Sequence, residues 1–94
     1  MTFEELIGKT ILVGITYLCN DDTELEKIQF FGTIVKAEEK KGIAIKKASD
    51  NKEFMLPPDI ESISVAHPGE YRLYSTGEII VNPDLLSVWT VNKP

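Results

Sequence analysis

Residues Thr10–Leu18 read TILVGITYL, with apolar Ile11, Val13, Ile15 and Tyr17 at the odd positions and Thr10, Gly14 and Thr16 between them. A period of two puts successive side chains on opposite sides of a pleated strand, so this stretch predicts a strand with one continuous apolar face. Leu12 and Leu18 interrupt the polar set, which predicts partial cover for the second face. Gly14, without a side chain in mid-strand, predicts a bulge, a bend or a close packing contact. The same period runs through residues 29–47. Phe30, Gly32 and Ile34 alternate with Phe31, Thr33 and Val35, and beyond a charged turn Ile43 and Ile45 alternate with Ala44 and Lys46. This pattern predicts a β-hairpin with arms 27–37 and 43–47 and Gly42 as the positive-φ residue of its turn. Phe30, Ile34, Ile43 and Ile45 are its predicted core residues.

Around this hairpin the remaining elements follow from local chemistry. Thr2-Phe3-Glu4-Glu5 has the form of a capping box, in which the Thr2 hydroxyl and the Glu5 carboxylate satisfy each other's backbone amides. With Phe3, Leu6 and Ile7 on one face and Gly8 behind them, it predicts a turn or two of helix. Residues 19–26, CNDDTELE, predict a polar connection. Residues 52–56 predict a short strand, with Phe54 and Leu56 facing one way, that stops at Pro57-Pro58 because neither proline can donate to a ladder. A helical turn at 59–61 and a strand at 62–66 come next. After the breaker His67-Pro68-Gly69, residues 70–74 and 78–81 predict a second hairpin around Ser75-Thr76-Gly77. Asn82-Pro83-Asp84 forms a turn, and residues 86–91 predict the last strand. The expected fold is mainly β: an antiparallel small barrel or two-sheet sandwich of about eight strands with a short N-terminal helix. Residues 1–94 are expected to form one domain, with a helix and a five-stranded barrel-like core at 3–66 and an additional hairpin and final strand at 67–94.

Composition narrows the possible functions. Fifteen acidic against ten basic residues give a net charge of -5, which argues against general phosphate-backbone binding and suits either a basic protein partner or simple solubility. The single Cys19 cannot form an internal disulfide, and the acidic start MTFEEL lacks the basic, then apolar, pattern of a secretion signal. No apolar run approaches the roughly 18 residues of a membrane span, so a cytoplasmic protein that does not enter a membrane is expected.

Catalytic and metal chemistry find few candidates. His67, directly before Pro68, reads as a turn or surface residue rather than an acid/base, and Cys19, with no cationic neighbour in sequence, as a packing residue. One Cys and one His cannot make a zinc site, and Gly8-Lys9-Thr10 lacks the upstream glycine of a P-loop. Neither an enzyme, a metal site nor a cofactor is expected. Asp21, Asp22, Glu24 and Glu26 do not have the register of a calcium loop, which leaves either a solvated loop or an anionic patch for a basic protein. Lys36, Lys40, Lys41, Lys46, Lys47 and Lys52 make the central hairpin locally basic. No aromatic interleaves with them, however, and Glu38, Glu39, Asp50 and Glu53 offset them, so protection of sheet edges is the simpler reading. The C-terminal third holds residue types that dominate interfaces, and Tyr71, Tyr74, Glu78 and Trp89 join the four acidic residues as candidate partner-binding positions. Each aromatic could equally close a core.

Two resemblances follow. Residues 3 to 65, through FEELIGKTILVGITYL and Phe31-Gly32-Thr33-Ile34-Val35, resemble the Sm-like small barrel, a short helix followed by five bent antiparallel strands. That likeness implies a nucleic-acid-binding adaptor using the lysine-rich hairpin, although the turn Glu38 to Gly42 carries no Asp or Asn of the kind that contacts RNA in that family. In size, acidity and strand count the whole chain resembles the small acidic immunity proteins of bacterial toxin systems, including contact-dependent growth inhibition, and in particular those that neutralise ribonuclease A-like toxin domains. This second resemblance implies a non-catalytic inhibitor that binds a cognate basic nuclease toxin and blocks its cationic cleft. It is the leading expectation.

Overall fold

The computed structural model describes residues 1–74 and 76–92. It begins with a single-turn helix, α1 (Phe3–Leu6), closed by the expected capping box: the Glu5 amide donates to Thr2 Oγ1 and the Thr2 amide to Glu5 Oε1, both at 3.2 Å. Eight strands follow among the described residues: β1 (Thr10–Leu18), β2 (Glu24–Glu38), β3 (Gly42–Lys47), β4 (Glu53–Leu56), β5 (Ile63–Val65), β6 (Glu70–Arg72), β7 (Ile79–Val81) and β8 (Leu85–Asn92). A 3-10 turn (Ile60–Ser62) links β4 to β5. The protein is therefore mainly β, as its alternation predicts. The predicted turn at 75–77 falls partly outside the described residues, at Ser75.

Six strands form one sheet in the order β4-β3-β2-β1-β8-β5, while β6 and β7 form a separate hairpin. β1 to β4 make an antiparallel meander. The exception to antiparallel pairing is β8, which runs parallel to β1 from Ile11 opposite Leu85 to Leu18 opposite Asn92. Short connections force antiparallel pairing only between strands that are neighbours in sequence, and β1 and β8 are not. β5 then joins the sheet through β8, pairing Ile63 with Ser87 and Val65 with Leu85.

The inner face of this sheet holds the core. Ile11, Val13, Ile15, Phe30, Ile34, Ile43 and Ile45 are buried there with Leu6 of α1, and the four residues predicted as core are among them. Each fully buried Ile or Leu contributes about 1.5–3 kcal/mol. The sheet curls around this core. Phe30 of β2 meets Phe54 of β4 with ring centroids 4.8 Å apart although β3 lies between their strands. A bulge at Val35 adds to the curl, because the register steps from Ile34 opposite Ile45 to Lys36 opposite Ala44. It also shifts the alternation by one, so that Ala37 turns inward. Gly14 is neither a bulge nor a close contact: the β1 irregularity lies at Tyr17/Leu18, and nothing stands within 4 Å of where a Gly14 Cβ would be.

The hairpin β6–β7 lies against the outer face of β2. The Tyr74 amide donates to Gln29 Oε1 at 2.7 Å, and buried Leu73 shares a small cleft with Gln29 and Phe31. This second layer covers part of the outer face, where Phe31 stands opposite Leu12.

Candidate interaction surface

The β1–β2 connection is shorter than the predicted 19–26. Strand β2 already begins at Glu24, so Glu24 and Glu26 are strand residues, and only Asp21 and Asp22 of the acidic set lie in the turn. That turn is well defined. The Cys19 amide donates to the Thr23 carbonyl at 2.8 Å and the Asp22 amide to the Cys19 carbonyl at 3.0 Å, while Asp22 takes φ 65°, which aspartate tolerates better than most residues. Asp21 Oδ1 accepts from the Thr23 amide at 3.1 Å. Hydrogen bonding from Thr23, through its side chain first and its amide second, holds the Asp21 carboxyl below its ordinary value. All four acidic residues are exposed. Glu24 forms an ion pair with Lys27 at 3.4 Å, a surface contact contributing at most about 1 kcal/mol.

Strand register decides what lies next to these carboxylates. Glu26 is opposite Tyr17, and Tyr17 is opposite Val91; one step along, Ile28 is opposite Ile15, and Ile15 is opposite Trp89. These rows share the inner face, so the acidic end of β2 and the end of β8 meet across β1. Beside them β4 and β8 leave a groove of about 180 Å³, with Tyr17, Phe54, Leu56, Pro57, Trp89 and Val91 in its walls and no charged residue lining it. Sequence reasoning placed Trp89 among the candidates but missed the groove, which brings together residues far apart in the chain. The exposure of Met55 at its edge, 52%, is the kind of feature that only the folded molecule reveals.

The aromatic candidates occupy three different situations. Trp89 is half-buried, and its Nε1 donates to Ser87 Oγ at 2.7 Å while Ser87 Oγ donates to the Ser62 carbonyl at 2.9 Å, leaving the indole ring as the part that faces the groove. Tyr71 is half-buried and its hydroxyl donates to the His67 carbonyl at 2.7 Å, which braces its own hairpin. Tyr74 is 83% exposed and borders a shallow outer-face trough of about 190 Å³ with Gly14, Lys27, Gln29 and Val88. Glu78 is exposed and its carbonyl accepts from the Leu73 amide at 2.9 Å. The candidates therefore divide between two surfaces: Glu26 and Trp89 adjoin the inner-face groove, and Tyr74 lies by the outer trough beside Lys27, the partner of Glu24. Tyr71 and Glu78 belong to the hairpin rather than to either depression.

The lysine-rich hairpin leaves Lys36, Lys40, Lys41 and Lys46 exposed, while Lys47 lies 5.9 Å from the Phe30 ring centroid and 3.6 Å from Asp50. Among the described residues, no three His, Cys, Asp or Glu side chains gather as a metal-ligand set, and no helix is long and apolar enough to cross a membrane. Comparison with protein-family models, curated proteins and solved structures finds no match.

Proposed function

We propose that the protein is a non-catalytic immunity protein that binds a cognate basic nuclease toxin and occludes its active site. The observation that carries this reading is the run of exposed carboxylates in the β1–β2 turn and the start of β2, where Glu26 stands in the row of Tyr17 and Val91, two residues that line an uncharged apolar groove. Asp21, Asp22, Glu24 and Glu26 supply the negative field that draws in a cationic surface, and the groove offers desolvated contact once the partner has arrived. A nuclease cleft is cationic because it holds phosphates, so it is complementary to this end of the molecule. The net charge of -5 supports the same direction of steering.

The test is to mix the purified protein with the product of the gene immediately upstream of its own, where this reading places the cognate nuclease. A stable complex and loss of RNA cleavage are expected. Absence of binding below micromolar concentration, or cleavage that continues within a stable complex, overturns the proposal.

A further inference from the structure

We propose that β8 is an acceptor for strand addition: an extended segment of the basic partner pairs with residues 88–92 and sets one large apolar side chain in the groove between β4 and β8. This inference takes from the proposed function only that the partner is a basic protein.

Strand β8 is paired with β1 along its whole length, but on its other side β5 reaches only from Leu85 to Ser87. The backbone direction on the open side can be read from the chain. The Asp84 carbonyl faces the β5 side, where it accepts from the Ala66 amide at 3.1 Å. Backbone polar groups alternate sides along a strand, and the β1–β8 register is unbroken, so the amides and carbonyls of Val88 and Thr90 face the open side. Edges of this kind are usually blunted by lysine, proline or a bulge. Residues 88–92, VWTVN, contain none of these, and Val88 is 77% exposed. At the opposite edge of the sheet, Lys52 precedes β4, Glu53 begins it and Pro57-Pro58 follow it. Within 88–92 β8 has no such residue, lysine and proline following only at Lys93-Pro94.

Size and charge specify the incoming segment. A groove of about 180 Å³ is close to the roughly 150 Å³ of a closed cavity that takes a benzene ring, so it has room for one large apolar side chain. Towards the end of β8, Glu26 lies in the same row as Tyr17 and Val91, and Glu24 is opposite Leu18, itself opposite Asn92. A lysine or arginine in the segment is therefore drawn toward this end by the field of Glu24 and Glu26, which stand two strands in from β8. A second copy of this chain fits less well. Its own Trp89 is packed against its own core and cannot enter a neighbour's groove, and both copies carry the charge of -5.

The probe is the capped peptide Lys-Thr-Phe-Thr-Val-Thr-Lys, titrated into the nitrogen-15-labelled full chain. Amide signals of Val88 and Thr90 are expected to shift, and their hydrogen exchange to slow at least tenfold. Replacing the peptide's Phe by Ala, its lysines by Glu, or its central Thr by Pro should weaken binding tenfold or more. Unchanged Val88 and Thr90 amides at millimolar peptide, equal binding of the proline version, or a free protein that is already a dimer with these amides protected each overturns the inference. Two variants then take the question to the nuclease. Thr90→Pro removes an open-side donor, and Val91→Lys puts a charge in the groove without changing the backbone, which covers the case in which the proline variant fails to fold. At least tenfold weaker nuclease binding by folded Val91→Lys is expected. If it binds the nuclease normally, strand addition is overturned while the immunity reading stands. If the peptide binds at β8 and the upstream nuclease does not, the immunity reading falls and the acceptor edge stands.

Discussion

Asp84 shows how much a single exposed side chain can determine. Its Oδ2 accepts from the Thr10 amide at 2.9 Å and from Thr10 Oγ1 at 3.1 Å, and the Asp84 amide donates back to Thr10 Oγ1 at 3.0 Å. These bonds join the residue before β8 to the first residue of β1, where the parallel register begins. The Thr10 amide first, then its hydroxyl and the charge of Lys9, hold the Asp84 carboxyl below its ordinary value. A carboxyl lowered on folding contributes stability above its unfolded pKa and loses that contribution as pH falls through its folded pKa. Asp84→Asn should therefore cost about 1 kcal/mol at neutral pH, discounted for exposure, and progressively less in acid. Urea midpoints of both proteins at pH 7 and pH 3 check this, and a gap that does not shrink in acid contradicts it. Gly32 presents a different kind of determinant. A Cβ there would strike the Lys46 carbonyl oxygen and come within 2.8 Å of Ile45 Cγ2, on the strand paired with its own. Gly32→Ala should destabilise by about 1–3 kcal/mol, measured by denaturant unfolding, whereas Gly14→Ala meets open space and should have little effect. The sequence drew attention to Gly14 because glycine in mid-strand is unusual. Which of two mid-strand glycines is required depends on how closely the neighbouring strand approaches, and no local pattern carries that information.

At the scale of elements, what was legible depended on the range of the interaction. The helix cap, the alternation of β1 and the central hairpin, the stop at Pro57-Pro58 and the hairpin of β6 and β7 all follow from residues a few places apart, and each is present. The Val35 bulge was hidden, because Phe31, Thr33 and Val35 read as a regular alternation until the partner strand shows the slipped register. Glu24 and Glu26 read as loop for a related reason: strand propensity disfavours Glu, but pairing with Tyr17 and Leu18 extends β2 through them. Least legible was β8. Its place between β1 and β5 is a contact between the two ends of the chain, and from it come both the groove and the open edge. Ser87, 2% exposed, secures this element by accepting from Trp89 and donating to Ser62. Ser87→Ala strands the Trp89 Nε1 donor and the Ser62 carbonyl, and should cost about 1–3 kcal/mol. For a domain of this size each kcal/mol corresponds to roughly 4–8 °C in Tm. A lowered Tm together with a changed Trp89 emission is the expected result, and an unchanged emission would show that Ser87 does not orient the indole.

For the whole molecule, charge and shape do separate work, and kinetics can tell them apart. The charge is distributed unevenly: the lysines gather at the hairpin of β2 and β3, and the turn between β1 and β2 with the start of β2 is predominantly acidic. An approaching cation is therefore oriented toward the β1–β2 end of the sheet, and the β8 wall of the groove reaches that end through Val91, opposite Tyr17. Steering acts before contact, over about 8–10 Å at physiological ionic strength, and so affects association; desolvated contact in the groove affects dissociation. Neutralising the acidic set as Asp21→Asn, Asp22→Asn, Glu24→Gln and Glu26→Gln removes four of fifteen carboxylates without altering side-chain size. With the proposed nuclease partner, this variant should associate about tenfold more slowly at low salt and converge with the unaltered protein as salt is raised, its dissociation rate changing much less. Val91→Lys should do the opposite, speeding dissociation in a way that salt does not restore. Stopped-flow association and surface-capture dissociation across a salt series measure both. If neutralising the four carboxylates leaves the association rate and its salt dependence unchanged, the acidic end is a solvated surface and the partner is drawn by something else.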